Sequence, residues 1–269
     1  MKIGFIGDIV GQPGRSMLEM HLKKLRQEFS LDGIIANGEN ASHGFGLGTQ
    51  HAKELLSYGV DVLTGGNHSW DKKEIMALLD VMPILRPHNY PQGVPGSGVK
   101  VLHVKDERIA IVNLMGHYTM PMVENPFLCA QKTIDDLRTQ GIQTIIVDFH
   151  AEATSEKRAM HMLLKGSVSA ILGTHTHVGT DDLLIEEGTC YVSDVGLSGC
   201  RDGVIGMDKE APLKRFLTGL PATFQVPKKC KKILQMIIME IEEGRCIEAH
   251  KLRVFDDQER LLVRAIYEQ

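Results

Sequence analysis

Short apolar runs that stop at a polar residue recur along this chain. Residues 3–6 end at Gly7-Asp8, residues 33–37 lead into Gly38-Glu39-Asn40, and residues 60–63 lead into Gly65-Gly66-Asn67-His68. Runs of this length punctuated by glycine are the pattern of buried strands meeting loops. Between them the apolar spacing turns helical. Pro13 stands where a first helical turn begins, and Met17, Leu18, His21, Leu22 and Leu25 follow. A Gly-rich loop at 44–48 leads to a helix predicted over 50–58. The β-branched stretches 96–104 and 108–114, around Lys105-Asp106-Glu107, predict a hairpin. A helix over 127–139 precedes strand 144–149, which delivers His150. A helix over 155–164 precedes strand 170–172, which delivers Gly173-Thr174-His175-Thr176-His177. Short strands at 183–186 and 189–193 follow, then a hairpin of 232–242 with 246–255 around Glu243-Gly244-Arg245.

Strands alternating with helices, then a strand-rich second half, predict a layered α/β structure of two packed sheets flanked by helices. No repeat or linker divides the chain, so residues 1–269 are expected to form one domain. The segment 201–227, rich in Gly, Pro and Lys and without period, is expected to be a long loop or small insertion. It is a place where assembly contacts, including those of a homo-oligomer, would sit.

Composition narrows the setting. With 43% hydrophobic and 24% charged residues the balance is that of an ordinary globular protein. A net charge of −4 gives no strong nucleic-acid footprint, yet leaves room for a small nucleotide at a metal site. The five cysteines are odd in number and scattered, without a CxxC pair, so neither a disulfide framework nor a zinc knuckle is expected, and a reducing compartment fits. The first residues read as a strand rather than an export leader, and the apolar runs are too short to span a bilayer. The expectation is a cytoplasmic protein with no membrane partner.

The chemistry lies in where the polar groups fall. Asp8, Glu39, Asn40, Asn67, His68, His150, His175 and His177 all follow strand candidates, and open α/β sheets bind ligands beyond the carboxyl ends of their strands. The donors are oxygen and nitrogen with no thiolate, a set that suits manganese, iron or zinc. Asp8, Glu39, Asn40, Asn67, His150, His175 and His177 are more ligands than one ion takes from protein, and a shared carboxylate would serve two ions. Each residue taken singly has a plainer reading: Asp8 as a helix cap, Asn40 and Asn67 as turn residues, the 175–177 stretch as a polar loop. Only the set, at successive strand ends, argues for a site. Gly7, Gly11 and Gly14 do not form GxGxxG, no P-loop is present, and no serine has a GxSxG setting. His21, His51, His103, His161 and His250 fall within predicted elements and read as packing or surface residues. His43, His88 and His117 lie in loops near motif ends, where they would line a site as substrate contacts.

The order Gly7-Asp8, Gly38-Glu39-Asn40, Gly66-Asn67-His68, His150, Gly173-Thr174-His175-Thr176-His177 resembles that of the calcineurin-like metallophosphoesterases. Longer strings narrow the resemblance to the YmdB-like branch: Gly7-Asp8-Ile9-Val10-Gly11, Asn37-Gly38-Glu39-Asn40-Ala41, Phe149-His150-Ala151-Glu152-Ala153-Thr154-Ser155-Glu156-Lys157 and Gly203-Val204-Ile205-Gly206-Met207. The broad family usually reads Asp-x-His first; here Asp8-Ile9-Val10 lacks that histidine, and Glu39 stands where the bridging carboxylate is usually Asp. The resemblance implies a calcineurin-like sandwich of two packed mixed sheets. It implies that Asp8, Glu39, Asn40 and His177 hold one ion, that Glu39, Asn67, His150 and His175 hold another, and that Asn40 replaces the missing imidazole. The ions would be divalent or of mixed valence, iron or manganese foremost and zinc the alternative. It further implies a phosphodiesterase for 2′,3′- or 3′,5′-cyclic nucleotides, acting by in-line attack of a metal-activated water. His68, not needed as a ligand, is expected to protonate the leaving oxygen or to neutralise phosphate charge. A phosphomonoesterase at the same metals, and a regulatory metal protein that needs no turnover, are the competing readings.

Overall fold

In the computed structural model, which describes residues 1–268, the expected strands and helices follow in order. The first stretch holds β1 (Lys2–Ile6), α1 (Gly11–Glu28), β2 (Gly33–Asn37), α2 (Thr49–Ser57) and β3 (Val62–Thr64). Then come β4 (Val99–Val104), β5 (Glu107–Met115), α3 (Pro126–Thr139), β6 (Thr144–His150), α4 (Thr154–Leu164) and β7 (Ala170–Thr174). The last third holds β8 (Leu184–Glu186), β9 (Thr189–Val192), β10 (Gly199–Cys200), α5 (Glu210–Thr218), β11 (Lys232–Glu242), β12 (Arg245–Phe255), β13 (Leu261–Arg264) and β14 (Ile266–Glu268).

Two seven-stranded sheets result. One runs β13-β12-β11-β1-β2-β3, with β10 also paired to β11. The other runs β14-β8-β9-β7-β6-β5-β4. Both are mixed. Strands β1, β2 and β3 pair in parallel, while β11 lies antiparallel to β1. In the second sheet β5, β6 and β7 are parallel and the β4–β5 hairpin is antiparallel. Parallel neighbours need crossovers, and α1, α2, α3 and α4 supply them.

Alternation along the strands decides what each face touches. Ile34 and Ala36 of β2 pack on the α1 residues Met17, Leu18 and Leu22. Ile35 between them points the other way and packs with Phe5, Ile111, Ile146, Leu172 and Ile237, where the two sheets meet. In β6, Ile145, Val147 and Phe149 pack on Ile134 and Leu137 of α3 and Met160 of α4. Three apolar layers therefore hold a helix–sheet–sheet–helix stack together. Each fully buried Leu, Ile or Phe contributes on the order of 2 kcal/mol.

Local signals place the elements. The Asn125 carboxamide accepts from the N–H groups of Phe127 (2.9 Å) and Leu128 (3.2 Å) at the start of α3, with Pro126 in the first turn. Gly219, in the left-handed conformation at φ 71°, ends α5. Helix α5 lies inside the segment 201–227, where a long loop or small insertion is expected, and of its residues only Pro212 is buried. The short β10, β13 and β14 and a 3₁₀ turn at Lys73–Ala77 also lie outside the sequence expectation. The Met236–Met239 run is core strand. Among the described residues no helix is long and apolar enough to cross a membrane.

Candidate metal centre

The parallel strands of both sheets end at the same rim. From the first sheet come Asp8 after β1, Glu39 and Asn40 after β2, and Asn67 and His68 after β3. The second supplies His150 at the end of β6, then His175 and His177 after β7. Loop bonds fix the first group in place: Ile9 N–H donates to the Asn37 carbonyl, Gly11 N–H to the Asn40 carbonyl, and Ser198 N–H to the Asp8 carbonyl.

All seven expected ligands converge. His150 Nε2 lies 2.9 Å from Asn67 Oδ1, 3.1 Å from Glu39 Oε1 and 3.1 Å from His175 Nδ1. Glu39 Oε1 also accepts from Asn40 Nδ2 at 3.2 Å, and that nitrogen is 3.2 Å from His177 Nε2. His177 Nε2 is 3.7 Å from Asp8 Oδ1. Glu39 thus stands between two groups, Asn67, His150 and His175 on one side and Asn40, His177 and Asp8 on the other. A ligand role for Asn40 requires its amide turned over, so that Oδ1 faces this point.

The residues fit a cationic guest. One hydrogen on His150 Nε2 cannot serve the three acceptors around it. Asp8 Oδ1 is buried without a hydrogen-bond partner, an arrangement that costs several kcal/mol for a carboxylate with no compensating charge. Burial pushes the Asp8 carboxyl up from its ordinary range, against the opposing pull of His177 and His150. Burial also disfavours charge on His150 and on Glu39, but their mutual attraction outweighs it. The imidazole rises to about 9 and the carboxyl falls to about 2. Among protein groups alone, the proton on His150 supplies the positive charge that a metal ion would bring.

The supports turn ring nitrogens inward. Thr174 donates its hydroxyl hydrogen to Asp148 Oδ1 (2.7 Å), so it accepts from His150 Nδ1 at 2.9 Å, leaving Nε2 toward the centre. Asp148 is itself buried among Asn37, Thr64 and Thr174; burial, partly offset by His150, lifts its carboxyl to about 6. His175 Nε2 pairs with Glu152 at 3.0 Å, leaving Nδ1 inward, and burial beside His150 lowers that imidazole to about 3. His177 Nδ1 donates to the Ile205 carbonyl at 2.8 Å, leaving Nε2 inward. Orienting partners of this kind hold ligating imidazoles in metal sites.

His175 (φ 103°) and His177 (φ 65°) adopt left-handed backbone, costing on the order of 1–3 kcal/mol each. Thr176 between them is gripped by Asp194, which accepts its N–H at 3.0 Å and its hydroxyl at 2.8 Å. Asp194 in turn pairs with Lys157 at 2.8 Å, both side chains 1% exposed. Gly66 is required by contact: a Cβ there would lie 2.3 Å from His150 Cδ2 and 2.4 Å from Glu39 Oε2.

His68 stands at the margin. Its N–H donates to Glu39 Oε2 (3.1 Å), its Nδ1 pairs with Asp71 (2.8 Å), and Phe45 packs edge-on to its ring. The other loop histidines stay off the cluster: His43 packs edge-on to His51, His88 lines a cavity with Arg86 and Lys132, and His117 Nε2 bonds the Glu124 carbonyl. Glu152, Thr174, Asp148, Asp194, Ile205 and Asp71 are not among the residues expected from the sequence. Asp148 had a signal, a lone carboxylate within the apolar run 145–149 of its strand.

A family model described as YmdB-like protein matches residues 5–252. The 2′,3′-cyclic-nucleotide 2′-phosphodiesterase of Bacillus subtilis (strain 168) is 41% identical over 261 residues, spanning 96% of this chain and 98% of that protein. A hypothetical protein from Thermus thermophilus has a crystal structure that superposes with a TM-score of 0.90 at 39% identity, over 95% of this chain and 99% of that one. That of a novel phosphatase from Mycoplasma pneumoniae gives 0.89 at 33% identity, over 95% and 93%.

Proposed function

This chain belongs to the YmdB-like family of calcineurin-like metallophosphoesterases, and from that membership we propose that it is a phosphodiesterase that opens 2′,3′-cyclic nucleotides at a pair of divalent metal ions. The observation that carries the reading is the convergence of Asp8, Glu39, Asn67, His150, His175 and His177, in which Asp8 Oδ1 has no hydrogen-bond partner and three acceptors crowd the one His150 Nε2 position. The substrate class is supported by the name of the Bacillus subtilis relative. Iron or manganese suits the oxygen-rich side formed by Asp8, Glu39 and Asn40, and zinc is the alternative.

When bound, the ions neutralise phosphate oxygens and make water a nucleophile at neutral pH. The chain's own groups do the rest. Glu39 holds the two ligand groups at a fixed spacing, and Thr174, Glu152 and Ile205 fix the three imidazoles. Water adds to phosphorus in line with the P–O2′ bond, which breaks to leave a 3′-phosphomonoester and a 2′-oxygen that needs a proton. His68 supplies it. Asp71 accepts from Nδ1–H, so His68 acts as the imidazolium and gives up its Nε2 proton.

The test is product analysis with 2′,3′-cyclic AMP. The reading expects 3′-AMP, loss of activity with Glu39→Gln, and a fall in kcat of about 10²–10⁴ with unchanged metal content in His68→Ala. Absence of turnover at any added divalent metal would refute it. A second reading, a phosphomonoesterase, has its support in the Mycoplasma pneumoniae phosphatase. A strong preference for p-nitrophenyl phosphate over bis-p-nitrophenyl phosphate would favour it, and 3′,5′-cyclic AMP belongs in the same panel.

A further inference from the structure

Away from the strand-end centre, Cys200, Asp202 and Cys230 offer two thiol sulfurs and a carboxylate oxygen that all lie within 4.8 Å of one another. Cys200 is buried, Cys230 is half-buried and Asp202 is exposed, so the cluster is built from inside the fold and open on one side. We propose that these three residues form a second metal site, a zinc site of three protein ligands completed by water.

The geometry suits a tetrahedral ion. Cys200 Sγ is 3.3 Å from Asp202 Oδ1. Zinc bonds of about 2.3 Å to sulfur and 2.0 Å to oxygen, at a tetrahedral angle, separate the two donors by about 3.5 Å. The oxygen is already oriented, because Oδ1 also accepts the Lys231 N–H at 3.1 Å. Three protein ligands with water in the fourth position is the arrangement of open zinc sites, whereas closed structural sites take four protein ligands. Arg201 and Lys231, both paired to Asp257, lie beside the cluster and offset the negative charge of two thiolates and a carboxylate around one dication. Burial and the neighbouring groups hold both thiols above their ordinary range, so zinc must displace two protons and binding strengthens as pH rises.

A disulfide fits less well. Cys200 pairs across the ladder with Lys232, and Cys230 lies two residues before that partner, ahead of the start of β11. Both cysteines are free thiols in the structure.

The site closes the neck of the 201–229 excursion. Ile205, whose carbonyl holds His177 Nδ1, lies just inside that neck. Zinc there would tie the first turn of the excursion to its return strand.

The test uses the reduced full-length chain titrated with cobalt(II). The strand-end centre has only oxygen and nitrogen donors, so a near-ultraviolet thiolate-to-cobalt charge-transfer band reports the second site alone. The expectation is one equivalent of band-forming cobalt, displaced by zinc and lost in Cys200→Ser and in Cys230→Ser. Asp202→Asn should keep the band and weaken binding on the order of 10-fold. If the serine variants fail to fold, alkylation of the wild-type chain decides: zinc should protect the half-buried Cys230 while Cys129, also half-buried, keeps reacting. Absence of the band, unchanged alkylation, or joined Cys200 and Cys230 peptides in protein purified without reductant would each overturn the proposal.

Discussion

Replacing Lys157 by Met should unfold this protein more readily than any surface substitution and loosen the metal centre as well. The Lys157–Asp194 pair is separated by 2.8 Å with both side chains 1% exposed. Lys157 Nζ has Asp194 as its acceptor, whereas Asp194 also takes the Thr176 N–H and hydroxyl and the Gly196 N–H. Removing one partner of a buried pair leaves an uncompensated charge, at a cost of about 3–5 kcal/mol. The two sides are not equivalent. Asp194 keeps three hydrogen bonds in Lys157→Met, so that variant belongs at the low end, about 3 kcal/mol. Asp194→Asn strands an ammonium whose acceptor has become a neutral amide, and belongs at the high end, about 5 kcal/mol. The double variant carries neither charge, so its loss should fall below the sum by about 1–3 kcal/mol. Urea unfolding monitored by circular dichroism gives the four free energies. Metal content should fall in both single variants, because Asp194 holds Thr176 between His175 and His177. Losses below about 1 kcal/mol in both singles, or strict additivity, would show that the pair does not carry the 175–177 turn.

Gly66→Ala should leave the fold intact and abolish turnover, since its methyl would enter the space of His150 and Glu39; a loss of at least about 100-fold is expected, with bound metal by elemental analysis as the check. Glu152→Gln removes the carboxylate that turns His175 inward and should weaken metal binding by about 10–100-fold without changing the melting temperature of metal-stripped protein. His161 is fully buried, stacks on Tyr191, and is lowered to about 4 by burial and by Arg158. The unfolded chain therefore binds more protons between pH 4 and 6.5. This contribution to stability is complete above about pH 6.5 and disappears as pH falls toward 4, a loss of about 1–2 kcal/mol after solvent screening. Urea midpoints across that range should fall less steeply in His161→Phe than in wild type, and equal slopes would refute the assignment.

The residues proposed as ligands were legible because each stands at the end of a strand whose apolar run is itself legible, so order along the chain becomes position at one rim. Their supports were not, because the contacts join residues far apart: Asn37 with Asp148, Lys157 with Asp194, His177 with Ile205. No spacing rule announces such pairs. Glu152 and Lys157 sit within the 149–157 string that carries part of the family resemblance, yet nothing local says that one turns His175 and the other neutralises Asp194. Helix α5 was missed for a different reason. Leu213, Phe216 and Leu217 are 49%, 81% and 82% exposed, so its apolar positions do not report a buried face. Strands β13 and β14 are short edge pieces carrying little core, and Leu261, Leu262 and Val263 of β13 are each nearly half exposed. The Cys200–Cys230 proximity depends on the β10–β11 ladder, which two residues of β10 could not announce.

Asp8, Glu39, Asn40 and Asn67 come to this rim from one leaf of the sandwich, and His150, His175 and His177 from the other. No sheet can assemble the cluster by itself. The seam between the leaves, lined by Phe5, Ile35, Ile146 and Ile237, therefore acts as a caliper. A slide along it alters every carboxylate-to-imidazole distance at once. Conservative changes deep in that seam, remote from any ligand, should surface first as altered cation preference and only later as unfolding.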